Sequence, residues 1–257
     1  MNALYVHAAG AKILLSIGGA VDHIDGSFGN EDSMDMSGLI FQGDAPASLY
    51  AERAAQAVLD NDFDGLDYDL ELHPGNFGAF RQGYMGAFLE ATHIKTRQML
   101  PASEGYIVSH APMGPYASVW AGEDKGYVGF MLKYQHEIDF ISLQYYNQGF
   151  YTNYAKTFTN TVGSWAEGSA VKELFDAGIS MEKLVVGKPI STSSGNGYWA
   201  PETLNSLGCR AKSEFGFVGG FMTWMYKNSD RAESLSWADA LKVTGRSDIL
   251  APKFCHF

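Results

Sequence analysis

Phe63-Asp64-Gly65-Leu66-Asp67-Tyr68-Asp69-Leu70-Glu71 is the stretch on which the reading of this chain turns. Its apolar and aromatic content suits a β-strand, whose successive side chains leave on opposite faces. Asp67, Asp69 and Glu71 then share one face, and Leu66, Tyr68 and Leu70 share the other. Like charges at neighbouring same-face positions repel, so at least one of the three carboxylates is expected to hold a proton near neutral pH. Such a group can act as a proton donor. A solvent-facing acidic edge strand fits poorly beside Phe63, Leu66 and Leu70, because acidic side chains next to a core are seldom left unpaired.

Upstream, Lys12-Ile13-Leu14-Leu15-Ser16-Ile17-Gly18-Gly19 reads as a buried strand ending in a glycine turn. Its continuous apolar character predicts a parallel strand covered on both faces. Residues 20–45, rich in Gly, Asp, Ser and Asn, read as a long loop of the kind that often carries function. Pro46 opens a helix with Tyr50, Ala54, Ala57 and Val58 at helical spacing. Downstream, Phe77 to Leu100 reads as a helix and Tyr106 to Pro112 as a strand, in which His110 is expected to be structural.

Asp139 to Asn147 is a further strand, with Gln144 and Tyr146 predicted on one face; for Tyr145 a place in a buried aromatic cluster competes with a functional one. Val171, Leu174 and Phe175 mark a helix, Leu184 to Ile190 a short strand, and Ser191 to Tyr198 a polar loop. The last strand runs from Phe217 to Trp224, and Trp237 and Leu241 sit on a closing helix. This alternation of strand, loop and helix repeats about six times, which implies parallel strands joined by helical crossovers.

The 257 residues match one α/β barrel domain or two small domains. With 46% hydrophobic and 18% charged residues, the chain is able to fill a large core. A net charge of −11 argues against nucleic acid or an anionic membrane as a partner held by general electrostatics. Cys209 and Cys255 are too few and too far apart for a disulfide framework or a zinc site, and one bridge or two thiols both remain open. Met1 to His7 lacks the basic start and apolar core of a secretory leader, and no apolar run is long enough to span a bilayer.

Asp64-Gly65-x-Asp67-x-Asp69-x-Glu71 resembles, at every defined position, the Asp-Gly-x-Asp-x-Asp-x-Glu signature of family 18 glycoside hydrolases, the chitinases and their relatives. Three further stretches resemble the same family: Ser16-x-Gly18-Gly19 before the acidic strand, Gln144-x-Tyr146-Asn147, and Gly219-Gly220-x-x-x-Trp224 in the final strand. The resemblance implies a TIM-type (β/α) barrel as one catalytic domain over 1–257. A full barrel needs eight β/α units, and the family's Ser-x-Gly-Gly strand is its third, so an incomplete barrel of about six units is expected. Residues 4–9 would supply a fragment of the second strand at best.

The resemblance also implies roles. Glu71 would be the general acid and base, Asp69 would orient the substrate's N-acetyl group, and Asp67 would lie deeper and share a proton with Asp69. Tyr146 would hydrogen-bond the acetamido oxygen, Trp224 would floor the sugar ring, and Gln144 and Asn147 would contact the same sugar. Ser16 and Asp64 would give structural support. The expected substrate is chitin or its oligosaccharides, cleaved with retention of configuration by a monomeric, extracellular enzyme without cofactor or metal.

Two other activities use the same scaffold: an endo-β-N-acetylglucosaminidase acting on N-glycan cores, and a catalytically silent lectin or inhibitor, although such relatives commonly lack the terminal glutamate that Glu71 supplies. A divalent cation held by Asp67, Asp69 and Glu71 is a further reading. A calcium loop, however, places its glycine after the second acidic ligand and ends in a distal glutamate, whereas Gly65 precedes all three.

Overall fold

A computed structural model describes residues 11–19, 44–71, 84–118 and 127–225. The predicted loop at 20–45, except its last residues, the fragment at 4–9 and the closing helix at Trp237 and Leu241 lie outside the described residues. The chain divides into two compact units, the first comprising Met1–Pro112 with Ala121–Asp139, the second Met113–Trp120 with Phe140–Phe257.

In the first unit, strands β1 (Leu14–Gly18), β2 (Gly65–Asp69) and β3 (Ile107–His110) run parallel in chain order. The register sets Ser16 opposite Asp67, and Asp67 opposite Ser109. Parallel neighbours need long crossovers, here α1 (Asp44–Asp60) between β1 and β2 and α2 (Tyr84–Met99) between β2 and β3. The buried side of α1 is Ala47, Tyr50, Ala51, Ala54, Ala55 and Val58, a stripe at helical spacing. Small alanines let it approach α2 closely, and Tyr50 meets Phe88 with ring centroids 6.3 Å apart. A short helix, α3 (Tyr127–Tyr134), completes the described part of the unit.

β1 departs from expectation. Predicted to be covered on both faces, it is only half-buried, with Ser16 exposed. Among the described residues its one strand partner is β2. β2 behaves as its alternation demands, since Leu66, Tyr68 and Leu70 are all buried.

The buried face of β2 and β3 is partly polar. The Tyr68 hydroxyl lies 2.5 Å from that of Thr96, and the Tyr68 ring stacks on His110 at 5.2 Å. His110 is wholly buried among Tyr68, Tyr127 and Phe130, with neither ring nitrogen hydrogen-bonded. At the end of α2, the Arg97 guanidinium donates to the carbonyls of Leu100, Tyr106 and Glu137 and to the Asp139 carboxylate. Asp139 also accepts the Val108 amide at 2.8 Å, while its own amide donates to the Val108 carbonyl at 2.9 Å.

Burial holds the His110 imidazole well below its usual pKa, with the neighbouring His93 and Arg97 acting in the same direction. Burial likewise lowers His93 to about 4, against the opposing pull of Glu137. Both rings are therefore neutral in the fold, whereas in the unfolded chain they bind protons below about pH 6.5. Stability is complete above that pH and is lost as the pH falls from it toward the folded values. His110→Phe is expected to lose less melting temperature between pH 7 and pH 5 than the wild type. An equal loss in both would remove His110 from the account of acid sensitivity.

In the second unit, β4 (Phe140–Gln144), β5 (Leu184–Pro189) and β6 (Phe221–Trp224) are also parallel and in chain order. Their connections include α4 (Val171–Asp176) and α5 (Pro201–Phe215), with Pro201 in the first turn of α5. Val171 and Leu174 of α4 are buried as predicted, but Phe175 faces outward. Tyr145 and Tyr151 are buried side by side, their hydroxyls on the carbonyl and hydroxyl of Ser169 at 2.6 and 2.7 Å. Phe158 and Phe217 pack edge to face at 5.4 Å, and Phe217 meets Phe221 at 5.7 Å.

Candidate active site

The first unit gathers Ser16, Asp64, Asp67, Asp69 and Glu71 on and beside β2. Asp64 is spent on architecture. Its carboxylate accepts the Ile13 amide at 2.8 Å and pairs with Lys12 at 2.7 Å, while its main chain bonds Ile13 on one side and Ile107 on the other. Gly65 follows because nothing larger fits: a Cβ there would stand 1.9 Å from the Ile107 carbonyl oxygen.

Asp67 lies between two serines supplied by the strands on either side. Ser16 donates to one oxygen at 3.0 Å and Ser109 to the other at 2.6 Å. Burial raises the pKa of Asp67, and the two hydroxyls partly offset this by favouring the charged form. Between the ordinary carboxylate range and the raised value, the fold keeps a proton that the unfolded chain has released. Stability therefore falls as pH rises through that window. Asp67→Asn carries no titrating group, so its stability relative to the wild type should improve in urea denaturation as pH rises above the ordinary carboxylate range. A constant difference would contradict the raised pKa.

Asp69, at the strand's end, is 8% exposed, and its carbonyl accepts the Gly19 amide at 2.7 Å. Gly19, just past β1, has φ +94°, a backbone conformation that residues with a side chain rarely adopt, and a Cβ there would touch Asp69 Oδ2 at an ordinary 3.4 Å. Glu71 stands just beyond the strand and is half-buried.

The second unit holds Gln144, Tyr146, Asn147 and Trp224. Gln144 closes β4 and is buried. Tyr146 does not continue the strand, so the alternation that predicted a face shared with Gln144 stops short of it. The chain instead bends at Asn147, whose φ is +64°. Asn147 exchanges hydrogen bonds with Asn196: its amide donates to the Asn196 carbonyl at 2.9 Å, and its Oδ1 accepts the Asn196 amide at 2.8 Å. Trp224 ends β6, 41% exposed. In each unit, then, candidate residues stand at the carboxyl ends of parallel strands, where α/β folds place their ligands.

Two residues escape a reading of the motifs. Ser109 is visible only once β2 and β3 are aligned. Lys188, in β5, is fully buried, and its ammonium donates to the carbonyls of Tyr145 and Tyr151, both at 2.8 Å. Among the described residues, no group of three or more His, Cys, Asp or Glu side chains is arranged to hold a metal ion.

The family model for glycosyl hydrolases family 18 matches residues 1–244. The chain belongs to that family. Chitinase 3 of Candida albicans is 29% identical over 228 residues, covering 86% of this chain but 34% of that protein. The chain therefore spans about a third of that curated relative's length. A solved family 18 chitinase from Pseudoalteromonas aurantia superposes with a TM-score of 0.68 at 25% identity, covering 91% of this chain and 77% of the other. A fungal endo-β-N-acetylglucosaminidase of the same family, at 18% identity and a TM-score of 0.63, covers 96% and 76% and shares the fold. The fold class is accordingly the TIM-type (β/α) barrel of the family, of which the described residues supply six parallel strands.

Proposed function

We propose that this chain is the catalytic part of a chitinase, a single barrel-type domain over 1–257 that hydrolyses β-1,4 bonds between N-acetylglucosamine units. The observation that carries the reading is β2: it packs Leu66, Tyr68 and Leu70 into the core, sets Asp67 between two serines, and ends in Asp69 and Glu71.

The family is an exception among glycosidases in that the substrate's own acetamido group is the nucleophile. Protonated Glu71 gives its proton to the glycosidic oxygen as the bond from that oxygen to the sugar carbon breaks. The acetamido oxygen, oriented by Asp69, bonds to the carbon and forms an oxazolinium ion. The Glu71 carboxylate then takes a proton from water, whose oxygen replaces the acetamido oxygen, so one water is consumed and the configuration is retained. Asp67 shares a proton with Asp69 and lets it change partner. The Tyr146 hydroxyl donates to the acetamido oxygen. Trp224 offers its indole face to the sugar's C–H groups, with Gln144 and Asn147 as further contacts. The reading needs neither metal nor cofactor, and by family resemblance places the enzyme outside the cell as a monomer.

Incubating the purified chain with chitotetraose and following products by mass spectrometry and NMR tests this. Shorter oligomers of retained anomeric configuration are expected, and inverted products would overturn the mechanism. A second substrate open to the same carboxylates is the chitobiose core of N-glycans, which digestion of a high-mannose glycoprotein would reveal. Binding of chitotetraose without cleavage would mark a silent lectin instead.

A further inference from the structure

Lys188 is a side chain that is costly to bury. It is wholly buried in β5, and no carboxylate pairs with it among the described residues. Instead its ammonium donates to two main-chain carbonyls, of Tyr145 and Tyr151, and stands 3.8 Å from the centroid of the Trp199 ring. Taking an ammonium out of water without an anion costs stability, part of which is offset by the two buried carbonyls it satisfies. Burial drives the amine's pKa down to about 7.

What the ammonium holds is informative. Tyr145 and Tyr151 bracket the turn that carries Tyr146 and Asn147, and the same lysine touches Trp199 in the segment following β5. That segment also grips the turn directly. Asn147 and Asn196 exchange two hydrogen bonds, and Gly197 passes so close that a Cβ there would lie 3.5 Å from Tyr146 Cα.

We propose that Lys188 is a positioning residue: its ammonium closes the Tyr145–Tyr151 turn and so fixes the Tyr146 hydroxyl for the substrate's acetamido group. The proposal rests on the chitinase reading above. Misplacing a group by about 1 Å can cost on the order of 10²-fold in rate. Lys188→Met is therefore expected to lower kcat/KM on chitotetraose by roughly 10–100-fold, while keeping a cooperative melt.

A role through Tyr146 differs from a general packing role in one readout. In a Tyr146→Phe background, Lys188→Met should cost little more, because the hydroxyl it positions is already gone. Lys188→Gln, which keeps one donor group, should retain intermediate activity. An inactive wild type sinks the chitinase reading and this proposal with it. An active wild type matched by an equally active Lys188→Met sinks the proposal alone, as does full additivity with Tyr146→Phe. If both Lys188 variants lose a cooperative melt, the lysine serves only the core and the proposal falls.

Discussion

Glu71→Gln abolishes most turnover: kcat on chitotetraose is expected to fall by ~10²–10⁴-fold, the usual contribution of a positioned acid–base group. The amide keeps the carboxylate's shape and its capacity to accept a hydrogen bond, but it has no proton to give the leaving oxygen. Glu71 lies beyond the end of β2 and is half-buried, so the substitution leaves the strand pairing untouched. The melting curve should therefore match that of the wild type, and oligosaccharide binding should persist. Full activity in a folded Glu71→Gln protein would remove this residue from the mechanism.

Gly65→Ala has a comparable effect by a different route. The added Cβ would meet the Ile107 oxygen at 1.9 Å, its carbonyl carbon at 2.7 Å and its nitrogen at 2.8 Å. All three are backbone atoms, so no rotamer change relieves the clash. β2 and β3 must separate at the point where the Ile107 amide bonds the Asp64 carbonyl at 2.9 Å. A loss of at least about 3 kcal/mol is expected, as for other severe steric insertions in a packed interior, or roughly 6–12 °C in melting temperature. Activity should decline with the folded fraction, without a separate change in KM. A variant melting within about 1 °C of the wild type would show that the strands yield more easily than their spacing implies.

These two expectations mark how far the motif could be read without coordinates. The alternation of residues 63–71 was legible because a strand's period of two leaves no choice of face once Leu66, Tyr68 and Leu70 are assigned to the core. The steric need for Gly65 was not, since it depends on how near the neighbouring backbone passes. Ser109 needed a register, a property of two strands that neither carries alone. The strand expected to run to Asn147 ends at Gln144, because the chain leaves it there for a left-handed Asn147.

α5 is hard to read from its sequence because its apolar stripe is thin: only Leu204, Gly208 and Ala211 are buried. Its ends were the better signal, with Pro201 in the first turn and Gly216 just past the last. Lys188 was in plain view as a lone charge inside an apolar run, and its meaning came only from the two carbonyls it meets.

Arg97 has a consequence for how the molecule comes apart. One guanidinium binds the end of α2, the approach to β3 and the segment before β4, and Val108 and Asp139 are linked to each other in both directions. None of these segments can loosen without breaking bonds to another. Their amide hydrogens should therefore exchange with solvent as one cooperative block, at the rate of its opening and not at the rate of any single turn.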